Sequence, residues 1–489
     1  MDNKNFNNGK INFEDGLKSF LNHEFLKAEI FFLKSLEFVP DRISTIFYLI
    51  QIYVKIENPF QLNTFLKNYE HISENNVFKF GLAFQAYFKN DYSKSIDICS
   101  NILETKNSEF ENQTLLLLAS CYVKKKYFIK SIKIYRNILK QDKKNYSALY
   151  NISSLLSEVG KVRQSYCYLE KALLLSPDNK NILWDMSLCL LSMGDLEKGF
   201  SLYENRFIRK KPQTRKFNQI QLLENLYNLG NKKLLVWSEQ GFGDTILFSR
   251  FVIDLLKYTK KIYLVVNLKL KDVLVHLDRN IVLIDENEVK EKLFDYQIPV
   301  GSIPRLLNIK QKSQISFYPL KIPNIKTNNF DTLFDSKKLN IGIALKGNSD
   351  YLRDEYRSTS FKNFSQFIKN DNFNVYNLSS GITNKEMTDF KSLHTFNAGE
   401  LNFYDLTFFL KKLDIVISVD TAICHLCGIL GIKCILVLNY NSYWVWFNET
   451  NKNAWYPSIN IIKQKKFNDW QSLQGKLKFE VDKIYNKKF

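Results

Sequence analysis

The sequence contains no apolar run of the ~18–20 residues that a membrane-spanning helix requires. Its first stretch, MDNKNFNNGKINFED, lacks the apolar core of a signal peptide. A soluble, cytoplasmic protein with at most peripheral membrane contact is therefore expected. A complete set of metal ligands is also missing. Cys424-His425-Leu426-Cys427 is a Cys/His cluster, but no second Cys or His pair stands at the spacing that would close a tetrahedral shell. No metal and no cofactor are expected. The 7 cysteines are odd in number. Cys99, Cys121, Cys167 and Cys189 fall within helical patterns, which suits buried thiols in a reducing compartment. No known nucleic-acid-reading motif accompanies the net charge of +19, so no nucleic-acid partner is expected. The basic excess fits an anionic partner such as a phosphate-bearing substrate, and it fits equally a compositional habit, because lysine is scattered along the chain.

With 489 residues the chain exceeds a single core, and two or three domains are expected. The first half repeats. Ser131 in YFIKSIKIYRNIL, Ser165 in KVRQSYCYLEKAL and Gly199 in GDLEKGFSLYENRF stand 34 residues apart, each followed four residues on by Tyr135, Leu169 or Tyr203. Pro40 and Pro177 close units, each 12 residues after the small residue, Ala28 or Ser165. A weaker copy surrounds Ser95. A small residue at a fixed period, with large apolar residues at helical spacing, lets two antiparallel helices pack closely and stack on the next pair. The pattern resembles the tetratricopeptide repeat (TPR), and the resemblance implies an α-helical TPR solenoid over 8–207. Such a solenoid either offers a concave face to an extended peptide or protein or serves as a spacer. The basic stretch 208–231, with Pro212 and no apolar period, reads as a linker.

From Lys232 onward short β-rich runs alternate with helical stretches. The expected strands are Leu234–Trp237, Ile262–Val266, Ile281–Ile284, Leu339–Leu345, Val375–Leu378, Ile415–Val419 and Cys434–Leu438. The helical stretches include Thr245–Tyr258 and Thr421–Leu430. This alternation implies parallel sheets covered on both faces, in two lobes of 232–325 and 335–489 joined by a hinge near Pro323. Two facing lobes of this kind bind ligands at the carboxyl ends of their strands.

Two segments there concentrate chemistry. In WSEQGFGDTILFSR a strand passes through Gly241-Phe242-Gly243-Asp244 into a helix, where glycines admit a close ligand and the helix end offers free N–H groups. A dinucleotide fingerprint would need glycine at Ile246, and a P-loop would need Lys-Ser/Thr where Asp244-Thr245 stand. Asp244 is thus either a helix cap or a general base. In LDIVISVDTAICHLCGILG a strand runs into Asp420-Thr421, expected to cap the following helix and to aim its amides at a diphosphate. His425 lies four residues after Thr421 on the same helix face. It is either a packing residue or part of an anion site.

These segments, with FDYQIPVGSIPRLL (294–307), IGIALKGNSDYLRDEYRS (341–358) and AWYPSINIIKQ (454–464), resemble glycosyltransferase family 9, the heptosyltransferase group. The closer resemblance is to bacterial proteins that join tetratricopeptide repeats to such a domain. It spans residues 234–464 and the repeats before them, and the two motifs stand about 175 residues apart. It implies an α/β GT-B fold with two Rossmann-like lobes, the N-terminal one on the acceptor side and the C-terminal one on the nucleotide-sugar side. It further implies an inverting, metal-independent transfer of a hexose or heptose from a nucleotide-sugar donor to a hydroxyl of a protein or glycan acceptor. In that reading the acceptor or a partner is recruited by the repeats. The resemblance assigns Asp244 as catalytic base and Gly241 and Gly243 as loop backbone. It assigns donor binding to Lys346, Arg357, Asp420, Thr421 and His425. The chain departs from the pattern at Trp444-Val445-Trp446, where the repeat-bearing relatives carry Trp-Arg-Trp. The alternative is a non-catalytic scaffold with a degenerate transferase-like domain, and the joint presence of Asp244, Thr421 and His425 favours the enzyme.

Overall fold

The computed structural model describes residues 3–105, 110–210, 213–227, 229–239, 241–323, 330–350, 353–364, 370–382, 396–447 and 453–489. It has two compact units, 1–155 and 156–489. The first consists of helix pairs: Asn3–Leu21 with Phe25–Phe38, Ile43–Lys55 with Pro59–Asn68, Asn76–Phe88 with Tyr92–Glu104, and Glu111–Lys124 with Phe128–Gln141. Helix Tyr146–Glu158 crosses the boundary, and Val162–Leu175, Lys180–Met193 and Leu196–Tyr203 belong to the second unit.

The 34-residue period has a structural cause at two points of the repeat unit. The small residue sits where the helices cross, and in two pairs its hydroxyl caps a carbonyl of the partner helix: Ser95 Oγ donates to Ala83 O at 2.9 Å and Ser131 Oγ to Ala119 O at 2.9 Å. The turn between the helices of a pair places one residue in the left-handed region: His23, Glu57, Asn90, Lys126, Gly160 and Gly194. These turns show the repeat also between Asn58 and Glu104, where the sequence pattern is weak. The left-handed conformation disfavours a Cβ, yet four of the six turns are not glycine, so the signal is absent from the sequence there.

The second unit contains two parallel sheets. β1 (Leu234–Trp237), β2 (Ile262–Val265), β3 (Ile281–Ile284) and β4 (Tyr296–Pro299) run in the order β3-β2-β1-β4. β5 (Leu339–Ala344), β6 (Phe373–Asn377), β7 (Ile415–Ser418), β8 (Cys434–Leu438) and β9 (Ile459–Lys463) run in the order β6-β5-β7-β8-β9. This is the two-lobed α/β arrangement implied above. β1, β5, β7 and β8 are buried along their whole length, which is why they read as unbroken apolar runs. β4 and β9 were not among the expected strands. Both are edge strands, and Tyr-Gln-Ile-Pro has little apolar pattern, with Pro299 tolerated because it ends an edge strand.

The segment read as a linker is anchored in its described part. Leu223 N–H donates to Gln297 O at 2.9 Å and Gln297 N–H to Gln221 O at 2.8 Å, so it pairs along β4. Of the expected hinge, 324–329 lie outside the described residues. One apolar core runs from Leu191, Phe200 and Tyr203 through Val236 and Phe248 to Leu436 and Trp444. The last repeat helices thus share a core with both lobes, which explains a unit boundary inside the repeats. Among the described residues no helix is long and apolar enough to cross a membrane.

Candidate functional site

β1 and β7 each end at a loop that starts a helix, Phe242–Leu255 in one lobe and Ala422–Ile429 in the other. The two helix starts touch. A Cβ on Gly243 would stand 2.8 Å from His425 Cδ2 and 3.7 Å from Ala422 Cα, so only glycine permits this approach. The two sequence motifs therefore meet in space. Gly243→Ala is expected to push the His425 ring out of place and to cost about 1–3 kcal/mol of stability, read as a lower melting temperature. An unchanged melting temperature would mean that the helix ends are not in close contact.

Asp244 occupies the third position of its helix and is half-buried, its carboxylate accepting from the Gly241 backbone N–H. It therefore caps the helix, and its environment also tunes it as an acid. Burial, then repulsion from Asp420 and Glu239, push its carboxyl up to about 7, against the pull of the Gly241 N–H and of Arg357. Such a group exchanges a proton near neutral pH.

Across from it, Asp420 follows Val419 at the end of β7. Burial pushes its carboxyl up, while the Arg357 guanidinium and the Trp446 indole N–H favour its charged form. That indole makes no hydrogen bond of ordinary geometry, so its effect is dipolar. Arg357 Nη1 donates to the Asp420 carbonyl at 3.1 Å and its Nε to Asp354 Oδ1 at 2.8 Å. Lys346 directly follows Leu345 beyond β5 and donates its backbone N–H to Ser379 Oγ at 3.2 Å. Arg357 is tied by its Nη1 bond to the Asp420 segment.

Thr421 takes the N-cap position of helix Ala422–Ile429 with extended backbone, but its side chain does not cap the helix, contrary to expectation. Its Oγ1 lies 3.2 Å from Ser418 Oγ instead. The serine that ends β7 competes for the hydroxyl, and the first helical amides remain without a side-chain cap.

His425 is only 5% exposed and sits between rings. Its face stacks on Trp446, with centroids 5.1 Å apart, and Nδ1 lies 3.1 Å from the Tyr456 hydroxyl. Nε2 faces Asp420 Oδ1 at 3.9 Å. Burial and then the Arg250 guanidinium push His425 down to about 3, so near neutral pH the imidazole is neutral and this contact is no ion pair. Arg250 supports the arrangement from behind. Its Nη1 donates to Trp455 O at 2.6 Å, and its guanidinium lies 4.6 Å from the centre of the Tyr456 ring. The sequence reading missed the parts played by Arg250, Trp446 and Tyr456, although all three stand inside or beside the quoted motifs. Val445 is fully buried, so the residue that departs from the Trp-Arg-Trp pattern faces the core.

Donor atoms of Asp420, Cys424 and His425 lie within 4.8 Å of one another, a grouping that Cys/His spacing does not reveal. Burial, followed by the charge of Asp420, drives the Cys424 thiol well above its usual value. Arg357 already stabilises the Asp420 charge. Cys427 faces Cys434 instead of joining the three.

A cavity of about 330 Å³ opens beside the glycine loop, at the ends of β1 and β2, lined by Thr214, Lys216, Ser238, Glu239, Asn267 and others.

No family model matches the sequence, and no curated protein matches it. Among solved structures, a family 9 glycosyl transferase from Veillonella parvula is similar over 55% of this chain and 99% of its own, with 9% identity and a TM-score of 0.41. PilF of Pseudomonas aeruginosa covers 42% of this chain and 92% of its own at 12% identity and a TM-score of 0.34. PilW, a type IV pilus biogenesis factor, covers 41% of this chain and 92% of its own at 11% identity and a TM-score of 0.35. The chain is a helical repeat array followed by an α/β region of two parallel sheets.

Proposed function

We propose that the protein is a glycosyltransferase that moves a sugar from a nucleotide-sugar donor to a hydroxyl of a protein or glycan acceptor, with inversion and without a metal. The observation that carries this reading is the contact of the two helix starts, which sets a carboxyl poised near 7 opposite the Asp420-Thr421 turn and Arg357. Asp244 takes the proton of the acceptor hydroxyl as its oxygen attacks the anomeric carbon. The bond from that carbon to the diphosphate oxygen breaks, and the electron pair leaves with the diphosphate. The developing charge meets the uncapped N-terminus of helix Ala422–Ile429, the Thr421 hydroxyl and the Arg357 guanidinium, with Lys346 just beyond the end of the neighbouring strand β5. The neutral His425 holds the Asp420 side of the pocket in place. The acceptor enters through the cavity beside the glycine loop. The repeats recruit the acceptor or a partner chain, and helix Phe25–Phe38 turns Leu26, Ile30 and Leu33 outward as an apolar row.

A thermal-shift screen against UDP-, GDP-, ADP-, CMP- and dTDP-sugars tests this reading. A ligand at ~100 times its dissociation constant adds about 2.7 kcal/mol, visible as a higher melting temperature. One nucleotide class is expected to produce the rise. No rise with any of them at millimolar concentration would count against a donor site.

A further inference from the structure

A fully satisfied, buried charged group outside the reacting centre joins the last repeat helix to the glycine loop. Arg206 stands in the short turn Glu204–Phe207 that follows helix Leu196–Tyr203, and its side chain is fully buried. Nε donates to Glu239 Oε2 at 2.9 Å and Nη2 to Glu239 Oε1 at 2.8 Å, a two-pronged grip on one carboxylate. Nη2 also reaches Ser302 Oγ at 2.7 Å, and Nη1 reaches Glu204 Oε1 at 2.9 Å and Tyr203 O at 3.1 Å. All five guanidinium N–H groups have acceptors.

Glu239 is held as tightly from its own side. The Gly301 N–H donates to its Oε1 at 2.9 Å, and a Cβ on Gly301 would come within 2.6 Å of that oxygen. The Gln213 side chain donates to the Glu239 carbonyl, and the Gln213 N–H donates to Arg206 O at 2.8 Å. A buried ion pair contributes little net stability compared with apolar side chains of the same size, so stability alone is a poor reason for this one. Its position supplies another. Glu239 lies two residues beyond β1 and five before Asp244, on the loop that aims the Asp244 helix.

We propose that Arg206 is a positioning residue for the transfer site: by gripping Glu239 it fixes the loop that sets Asp244, which makes the end of the repeat array part of the frame of the reaction. The proposal rests on the transferase reading for its catalytic meaning, whereas the grip itself is independent of it. Glu239 has a second effect, because its charge is one of those raising Asp244. The other groups acting on Asp244 are Asp420, Arg357 and the Gly241 N–H, with His425, Tyr456 and Arg250 packed behind them.

Arg206→Lys keeps the charge and loses the two-pronged grip. Arg206→Gln/Glu239→Gln removes both charges and retains hydrogen-bonding groups. Leu196→Ala loosens the same repeat helix without touching the grip and serves as the control. Hydrogen exchange read by mass spectrometry on the full-length protein is expected to show faster uptake across 238–245 in Arg206→Lys, well beyond that in Leu196→Ala at equal loss of melting temperature. With a donor from the nucleotide-sugar screen, Arg206→Lys is expected to lower turnover about 10- to 100-fold at unchanged donor affinity. The double variant should move the acidic limb of the pH profile to lower pH. Uptake at 238–245 no greater than in Leu196→Ala, or turnover per folded molecule and pH limb both at wild-type values, would overturn the proposal. If wild-type protein turns over no nucleotide sugar, the transferase reading fails, and the exchange result still decides whether Arg206 holds the loop.

Discussion

Asp244→Asn is expected to lower sugar transfer by about 10²- to 10⁴-fold, the usual contribution of a general base, while donor affinity stays near wild type. The amide keeps an oxygen to accept from Gly241 N–H, so the helix start survives, but it has no basicity. The pH dependence follows from the raised carboxyl. Asp244 must be ionised to take a proton, so wild-type transfer should rise with pH through about 7. Stability runs in the opposite direction. A carboxyl whose value rises from 3.8 when unfolded to about 7 when folded binds its proton more tightly in the folded state. The folded protein therefore loses stability as pH climbs from about 4 through 7. Asn at 244 removes that loss, so the variant should melt higher than wild type at pH 8 and show little gain at pH 4. A variant that transfers sugar undiminished would make Asp244 a cap alone. A variant with no pH-dependent gain would mean that the carboxyl is not destabilised by its neighbours.

Arg357→Ala is expected to have the other large effect, a rate loss of about 10²- to 10³-fold together with weaker donor binding. Arg357 stabilises the Asp420 charge and holds the Asp420 carbonyl, and it fills the space beside Gly347, where a Cβ would stand 2.5 Å from its Nη2. Arg357→Lys separates charge from geometry. Lysine supplies a cation but cannot grip Asp354 and the Asp420 carbonyl with one planar group, so it should recover only part of the rate. Measuring kcat and donor affinity for both variants checks this. Full activity in Arg357→Ala would assign the leaving diphosphate to Lys346 or to the helix end alone.

Much of this was legible in the sequence because it depends on local rules. The repeat showed through Ser131, Ser165 and Gly199, since close helix crossings demand small side chains. Strands β1, β3 and β8 read to the residue, β1 and β8 because covering on both faces leaves no polar alternation. Asp244 and Asp420 stood out through their place between strand and helix, and the structure brings their helix starts into contact. The rest depends on pairings that spacing does not encode. Arg206 looks like an ordinary basic residue before a basic stretch, and only the folded chain puts Glu239, 33 positions later, against it. Thr421 has the identity of a cap, yet Ser418 takes its hydroxyl. β4 and β9 are edge strands, where patterning is weakest. Left-handed turns at His23, Glu57, Asn90 and Lys126 lack the glycine that would have announced them.

The central claim is that one site divides its labour, with proton removal at Asp244 and donor binding at the Asp420-Thr421 turn. Calorimetric titration of the best nucleotide sugar into wild type, Asp244→Asn and Thr421→Ala, with turnover measured on the same preparations, tests it most directly. The account predicts wild-type affinity without turnover in Asp244→Asn, and weakened affinity in Thr421→Ala. Equal effects of the two substitutions on affinity, or none from either on affinity or turnover, would contradict it.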